Sequence, residues 1–164
     1  MKNGTVQVIC GSGKGKTSMA LGLAISALAE QKRVIMIQFL KGSLEPERMD
    51  VLMRLEPDLK VFRFEKSPAF FEHLSEEEKK EEEQNIHNGL NFAKKVMATG
   101  ECDVLILDEI LSIVDCGIMT AEDLVQNLKA REKEMSVILT GLVFPSGLEN
   151  DVDAITTIQS KDVK

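Results

Sequence analysis

The residues best suited to chemistry lie in one short stretch, C-G-S-G-K-G-K-T-S, from Cys10 to Ser18. Glycine permits the unusual dihedrals and close approach that turn successive backbone N–H groups toward an anion, and Gly11, Gly13 and Gly15 alternate here with Ser12, Lys14 and Lys16. Lys16 adds a point charge for phosphate oxygens, Thr17 offers a hydroxyl to a divalent cation, and the helix expected to follow contributes the partial positive charge of its N-terminus. The general pattern G-x-x-x-x-G-K-[ST] asks for Gly where this chain has Cys10. A G-K-T arising by chance in a glycine-rich turn is the alternative, and a strand before and a helix after argue against it. A dinucleotide-type G-x-G-x-x-G fails, because Lys16 stands at its last position.

A nucleotide site of this kind needs an acidic residue at the end of a buried strand, within reach of the cation that accompanies the phosphates. V-L-I-L-D-E, Val104 to Glu109, supplies Asp108 and Glu109. Magnesium prefers oxygen ligands, mostly phosphate and water with one or two protein groups, so Thr17 with Asp108 or Glu109 forms the expected metal set for Mg2+ or Mn2+. The pair D-E serving merely to cap a strand is the plainer alternative.

Elements that position these residues follow from hydrophobic patterning. Short apolar runs alternate with helical patterns, the mark of an α/β chain built from βαβ units with a mostly parallel sheet of about six strands, the three-layer P-loop NTPase-like (RecA-like) class. Strands are expected at Thr5–Cys10, Arg33–Phe39, Lys60–Phe64, Asp103–Asp108, Ser136–Thr140 and Ala154–Ile158. Continuous runs such as V-L-I-L need cover on both faces. Thr17–Gln31 reads as a small-residue apolar helix, expected to be buried over most of its surface. Another helix begins near Ser75, where Ser75 and Glu78 form a capping-box signature, and its second half carries Ile86, Leu90, Ala93 and Met97 at helical spacing. Its charged first half, E-E-E-K-K-E-E-E, is read as a solvated face.

The chain has 164 residues, 43% hydrophobic and 29% charged, which fits one P-loop nucleotide-binding domain spanning residues 1–164. Its net charge of −7 is the wrong sign for a protein that lives on nucleic acid. Cys10, Cys102 and Cys116 are too few and too scattered for a disulfide framework, and no Cys/His cluster offers a zinc site. The N-terminus lacks the pattern of a signal peptide and no apolar run is long enough to span a membrane, so the expectation is a cytoplasmic protein with no membrane partner. Aromatic residues make up 4%, all Phe.

Taken together, these motifs resemble the P-loop type of corrinoid (cob(I)alamin or cob(I)yrinic acid a,c-diamide) ATP adenosyltransferase. The similarity rests on G-S-G-K-G-K-T with a non-Gly first position, on Q-F-L-K-G (Gln38 to Gly42), on D-E-I followed by Gly117, and on L-T-G (Leu139 to Gly141), in the family's order from about residue 4 to 142. It implies transfer of the 5′-deoxyadenosyl group of ATP to the cobalt of a reduced corrinoid, with release of triphosphate. It also implies ATP on Gly11 to Ser18, catalytic roles for Lys16, Thr17 and Glu109, and corrinoid contacts from Gln38, Lys41, Phe70 and Phe71. An electron-donating reductase and a homodimer are the expected partners, and the nucleotide is expected to lie in the loop in the sense opposite to ordinary NTPases.

The chain departs from the family pattern at several points. Glu72 stands where the family has Trp, and Leu142 stands where it has Arg after the T-G pair. A family segment reading roughly H-P-F-x-x-G has no counterpart before Lys164. Altered corrinoid or ribose contacts are therefore expected. A P-loop ATPase of another kind, with Glu109 positioning a hydrolytic water, and a non-catalytic ATP- or corrinoid-binding module are the competing readings. His73, a lone loop histidine, is assigned no cobalt-ligand role.

Overall fold

The computed structural model describes residues 2–40, 46–64 and 71–164. Its strands are β1 (Val6–Cys10), β2 (Val34–Gln38), β3 (Leu59–Arg63), β4 (Val104–Asp108), β5 (Ser136–Thr140) and β6 (Ala154–Thr157). They form one sheet in the order β3-β2-β4-β5-β1-β6, and every neighbouring pair is parallel. Parallel neighbours need crossover connections, which α1 (Lys16–Ala29), α2 (Pro46–Met53), α3 (Glu76–Thr99), α4 (Ile110–Asp115) and α5 (Ala121–Lys129) help to supply.

Alternation along the strands divides the core. Val8, Ile35, Ile37, Leu105, Leu107 and Leu139 pack on one face with residues of α3, α4 and α5 such as Val96, Leu111 and Leu124. The opposite face sends Ile9, Val34, Met36, Ile106 and Ile138 against Ala20 and Ala24 of α1, with Leu52 of α2 beside them. Ile37, Leu105, Ile106 and Leu107 are 0–1% exposed. Burying each such side chain contributes roughly 1.5–3 kcal/mol relative to leaving it in water.

The strands fall within one residue of their expected positions, and β5 matches at both ends. β3 starts earlier than expected because fully buried Leu59 already pairs with Val34. Ser75 caps α3: its hydroxyl accepts the Glu78 N–H at 3.2 Å, while the Glu78 carboxylate accepts the Ser75 N–H at 2.8 Å. The Ser75 backbone N–H, and after it the Ser75 side chain, hold the Glu78 carboxyl below its ordinary pKa. The expectation for α1 fails. Of its residues only Ala20, Ala24 and Ala27 are buried, and Ile25 is 49% exposed, because the helix is the outer layer on its face of the sheet. Helices α2, α4 and α5 had no counterpart in the sequence reading, although Thr120 and Asp123 form a capping box at the start of α5.

Candidate functional site

Four neighbouring strands end in Cys10, Gln38, Asp108 and Thr140, and this carboxyl edge is where parallel α/β sheets place their ligands. From Cys10 the chain enters the glycine loop, and α1 begins at Lys16 with Gly15 as its N-cap. Gly15 makes no side-chain cap bond, and the first turn of α1 directs its backbone N–H groups toward the loop side.

The loop glycines serve different ends. Gly15 has φ +101° with open space around it, so its requirement is the left-handed backbone. Gly13 has ordinary φ, but a Cβ there would lie 2.8 Å from backbone carbons of Ile158 and Gln159. The segment after β6 runs along the loop: Ile158 N–H donates to Cys10 C=O at 2.8 Å, and Gly13 N–H donates to Ile158 C=O at 2.9 Å. Lys14 N–H donates to Ser160 Oγ at 2.8 Å. Ile158 and Ser160 are site neighbours that the sequence reading missed, because contact across so much chain leaves no local signal. Cys10, 4% exposed, belongs to the core, its Sγ 3.8 Å from Thr157 Oγ1, which accounts for a side chain where the loop pattern has glycine.

Lys16 turns back over the loop, its ammonium donating to the carbonyls of Gly11 at 2.8 Å and Gly13 at 2.9 Å. A cation held over the loop concentrates positive potential in a chain of net charge −7. Ser12, Lys14 and Ser18 are exposed around it.

Beside the loop lies a cluster of side chains. Thr17 Oγ1 donates to Asp108, 3.0 and 3.1 Å from its two carboxylate oxygens. Asp108 is fully buried and also accepts from Thr140 Oγ1 at 2.7 Å and from Gln38 Nε2 at 3.1 Å. The cross-strand register explains the Gln38 contact, since Gln38 and Asp108 are direct partners across β2 and β4. Gln38, expected to touch the corrinoid, is 1% exposed and presents no surface to one; its amide supports Asp108 instead. Glu109 adopts φ +67°, its N–H donates to Thr140 Oγ1 at 2.8 Å, and its carboxylate accepts from Ser112 Oγ at 2.7 Å. Thr140 was visible in sequence only as the middle of L-T-G and had no assigned role.

Phe70 and Lys41, expected at the corrinoid, lie outside the described residues. Phe71 opens a short 3-10 turn, Phe71–His73, ahead of α3. Glu72 and His73 are exposed. Leu142 reaches the loop through its backbone, its carbonyl accepting Gly11 N–H at 2.9 Å, while its side chain is 52% exposed. Among the described residues no group of three or more His, Cys, Asp or Glu forms a metal cage.

The family described as ATP:corrinoid adenosyltransferase BtuR/CobO/CobP matches residues 2–163. The chain belongs to that family. A corrinoid adenosyltransferase of Escherichia coli K12 is 29% identical over 85% of this chain and 68% of its own length. An uncharacterised protein of Nostoc is 32% identical over 92% of this chain, which spans only 42% of that relative. The KaiC-like protein of Pyrococcus horikoshii shares the fold of this adenosyltransferase-family chain, with a TM-score of 0.61 at 18% identity over all of this chain and 77% of that one.

Proposed function

We infer that this chain transfers the 5′-deoxyadenosyl group of ATP to the cobalt of a reduced corrinoid and releases triphosphate. What carries the reading is the phosphate loop with Thr17 bonded to Asp108, in a chain that matches the adenosyltransferase family from residue 2 to 163. Cobalt(I) donates an electron pair to the ribose C5′, the cobalt–carbon bond forms as C5′–O5′ breaks, and the pair from the broken bond leaves on triphosphate. No proton moves at carbon, so the protein needs no general base. Its task is to hold C5′ toward cobalt and to stabilise charge on the departing triphosphate.

The N–H groups at the start of α1 and the Lys16 ammonium, which exchanges its loop carbonyls for phosphate oxygens, do the second part. A hydroxyl and a carboxylate already in contact form a hard oxygen donor set, which suits Mg2+ or Mn2+ arriving with ATP, with Glu109 next in sequence. Such an ion supplies further charge neutralisation on the triphosphate. Phe70, Phe71 and Lys41 meet the corrinoid, an electron-donating reductase delivers cobalt in its reduced state, and the enzyme works as a cytoplasmic homodimer; the family resemblance supports these assignments. No helix among the described residues is long and apolar enough to cross a membrane.

The test mixes protein, ATP, magnesium and a chemically reduced corrinoid. The expected outcome is the spectrum of the adenosylated corrinoid with one triphosphate per product. ADP and inorganic phosphate as the only products show a P-loop ATPase instead, and binding of both substrates without turnover shows a binding module.

A further inference from the structure

Thr140 touches both acidic residues of the site, although it lies on a different strand. Its hydroxyl has one hydrogen and can also accept. Because the Glu109 N–H at 2.8 Å is itself a donor, that hydrogen must go to Asp108 Oδ1 at 2.7 Å. The residue is wholly buried at the end of β5, so both bonds are shielded from water. The Glu109 backbone, held at φ +67°, is in a region that costs a non-glycine residue about 1–3 kcal/mol unless its surroundings enforce it. The bond to Thr140 is one such constraint.

We propose that Thr140 is a positioning residue for the cation site: one hydroxyl fixes the Asp108 carboxylate toward Thr17 and pins the turn that presents Glu109. The inference rests on the reading that Thr17 and Asp108 meet the cation of bound ATP. A carboxylate held on both sides, by Gln38 from β2 and Thr140 from β5, keeps its orientation when Thr17 turns from it to a metal. Partners that orient a metal ligand commonly contribute about 10–100-fold to metal affinity.

Binding of Mn2+ in the presence of ATP, without corrinoid, tests this by electron paramagnetic resonance. Thr140→Val, which keeps the shape and removes both bonds, should weaken Mn2+ about tenfold or more while metal-free ATP binding changes little. Thr140→Ser, which keeps the hydroxyl, should stay close to wild type. In an Asp108→Asn background, Thr140→Val should add almost nothing, because the hydroxyl acts through that carboxylate. Equal Mn2+ affinity in Thr140→Val and wild type overturns the proposal, as does an equal loss in Thr140→Ser or full additivity with Asp108→Asn. Should Thr140→Val not fold, Thr140→Cys, a weak donor of similar size, must show the same loss, and wild-type affinity there overturns the proposal. Failure of the wild-type protein to bind Mn2+ with ATP counts against the cation reading itself.

Discussion

The glycine loop and the Asp108 cluster lie side by side at one edge of the sheet, yet they are built by opposite means. The loop is built on its backbone: the N–H groups of Gly11, Gly13 and Lys14 bond Leu142, Ile158 and Ser160, and Gly13 and Gly15 matter for lacking a side chain. The cluster works through side chains delivered by β2, β4, β5 and α1 into a buried spot where each donor has a particular acceptor. A loop of backbone donors is therefore sensitive to added atoms. A buried polar cluster is sensitive to removed ones, because an orphaned group there bears its full desolvation cost.

The largest effect should come from a lysine of the loop. Lys16→Ala is expected to reduce adenosyl transfer about 10²–10³-fold, the usual cost of deleting a charge-stabilising donor. Its melting temperature should move little, since Lys16 bonds only loop carbonyls among the contacts described. Loss of the fold in this variant would erase the contrast between the two regions.

Gly13→Ala comes next. Its Cβ meets the backbone of Ile158 and Gln159 at 2.8 Å, so loop or tail must shift. Overpacking of this kind costs about 1–3 kcal/mol, to be read from chemical denaturation, with a parallel loss of ATP affinity. A neutral result would mean that the tail does not pack on the loop.

Gln38→Met sharpens the other half of the comparison. Losing a hydrogen bond to a buried carboxylate costs about 1.5–3 kcal/mol, partly offset because the unpartnered Oε1 of Gln38 is removed as well. The concentration of magnesium needed for half-maximal rate should rise while the KM for corrinoid stays within about twofold, less than one hydrogen bond is worth. A rise in corrinoid KM alone would return Gln38 to the corrinoid.

The smallest effect concerns a local device, the Ser75–Glu78 box. The Glu78 pKa is lowered in the folded state, so its contribution is present above the unfolded carboxylate pKa of about 4.3 and is lost as pH falls through the folded value. The melting-temperature difference between wild type and Glu78→Ala should be constant near neutral pH and shrink in acid. A difference that grows in acid would reverse the assignment.

Much of this architecture was readable without coordinates. Apolar runs marked the four inner strands, because strands covered on both faces must be apolar on successive residues, while the edge strands β3 and β6 are less covered and showed as mixed apolar and polar stretches. G-K-T after a strand marked the loop, since every group it needs lies within a few residues. The misreadings have a common physical origin. The α1 helix was expected to be buried on most sides, but apolar composition does not say how many layers cover a helix. Gln38 was carried to the corrinoid by its motif, while its register opposite Asp108 turns it inward.

Sequence alone determined the α/β class, the phosphate loop, the capping box and the acidic strand end, because each depends on dihedrals and spacings within a few residues of chain. Only the tertiary structure decided that Thr140 and Gln38 hold Asp108, and that Ile158 and Ser160 lie on the loop. Those contacts arise from the order β3-β2-β4-β5-β1-β6, which brings β4 between β2 and β5 and lays β6 beside β1. Strand order is set by how the helices cover the two faces of the whole sheet, and no single stretch of residues contains it.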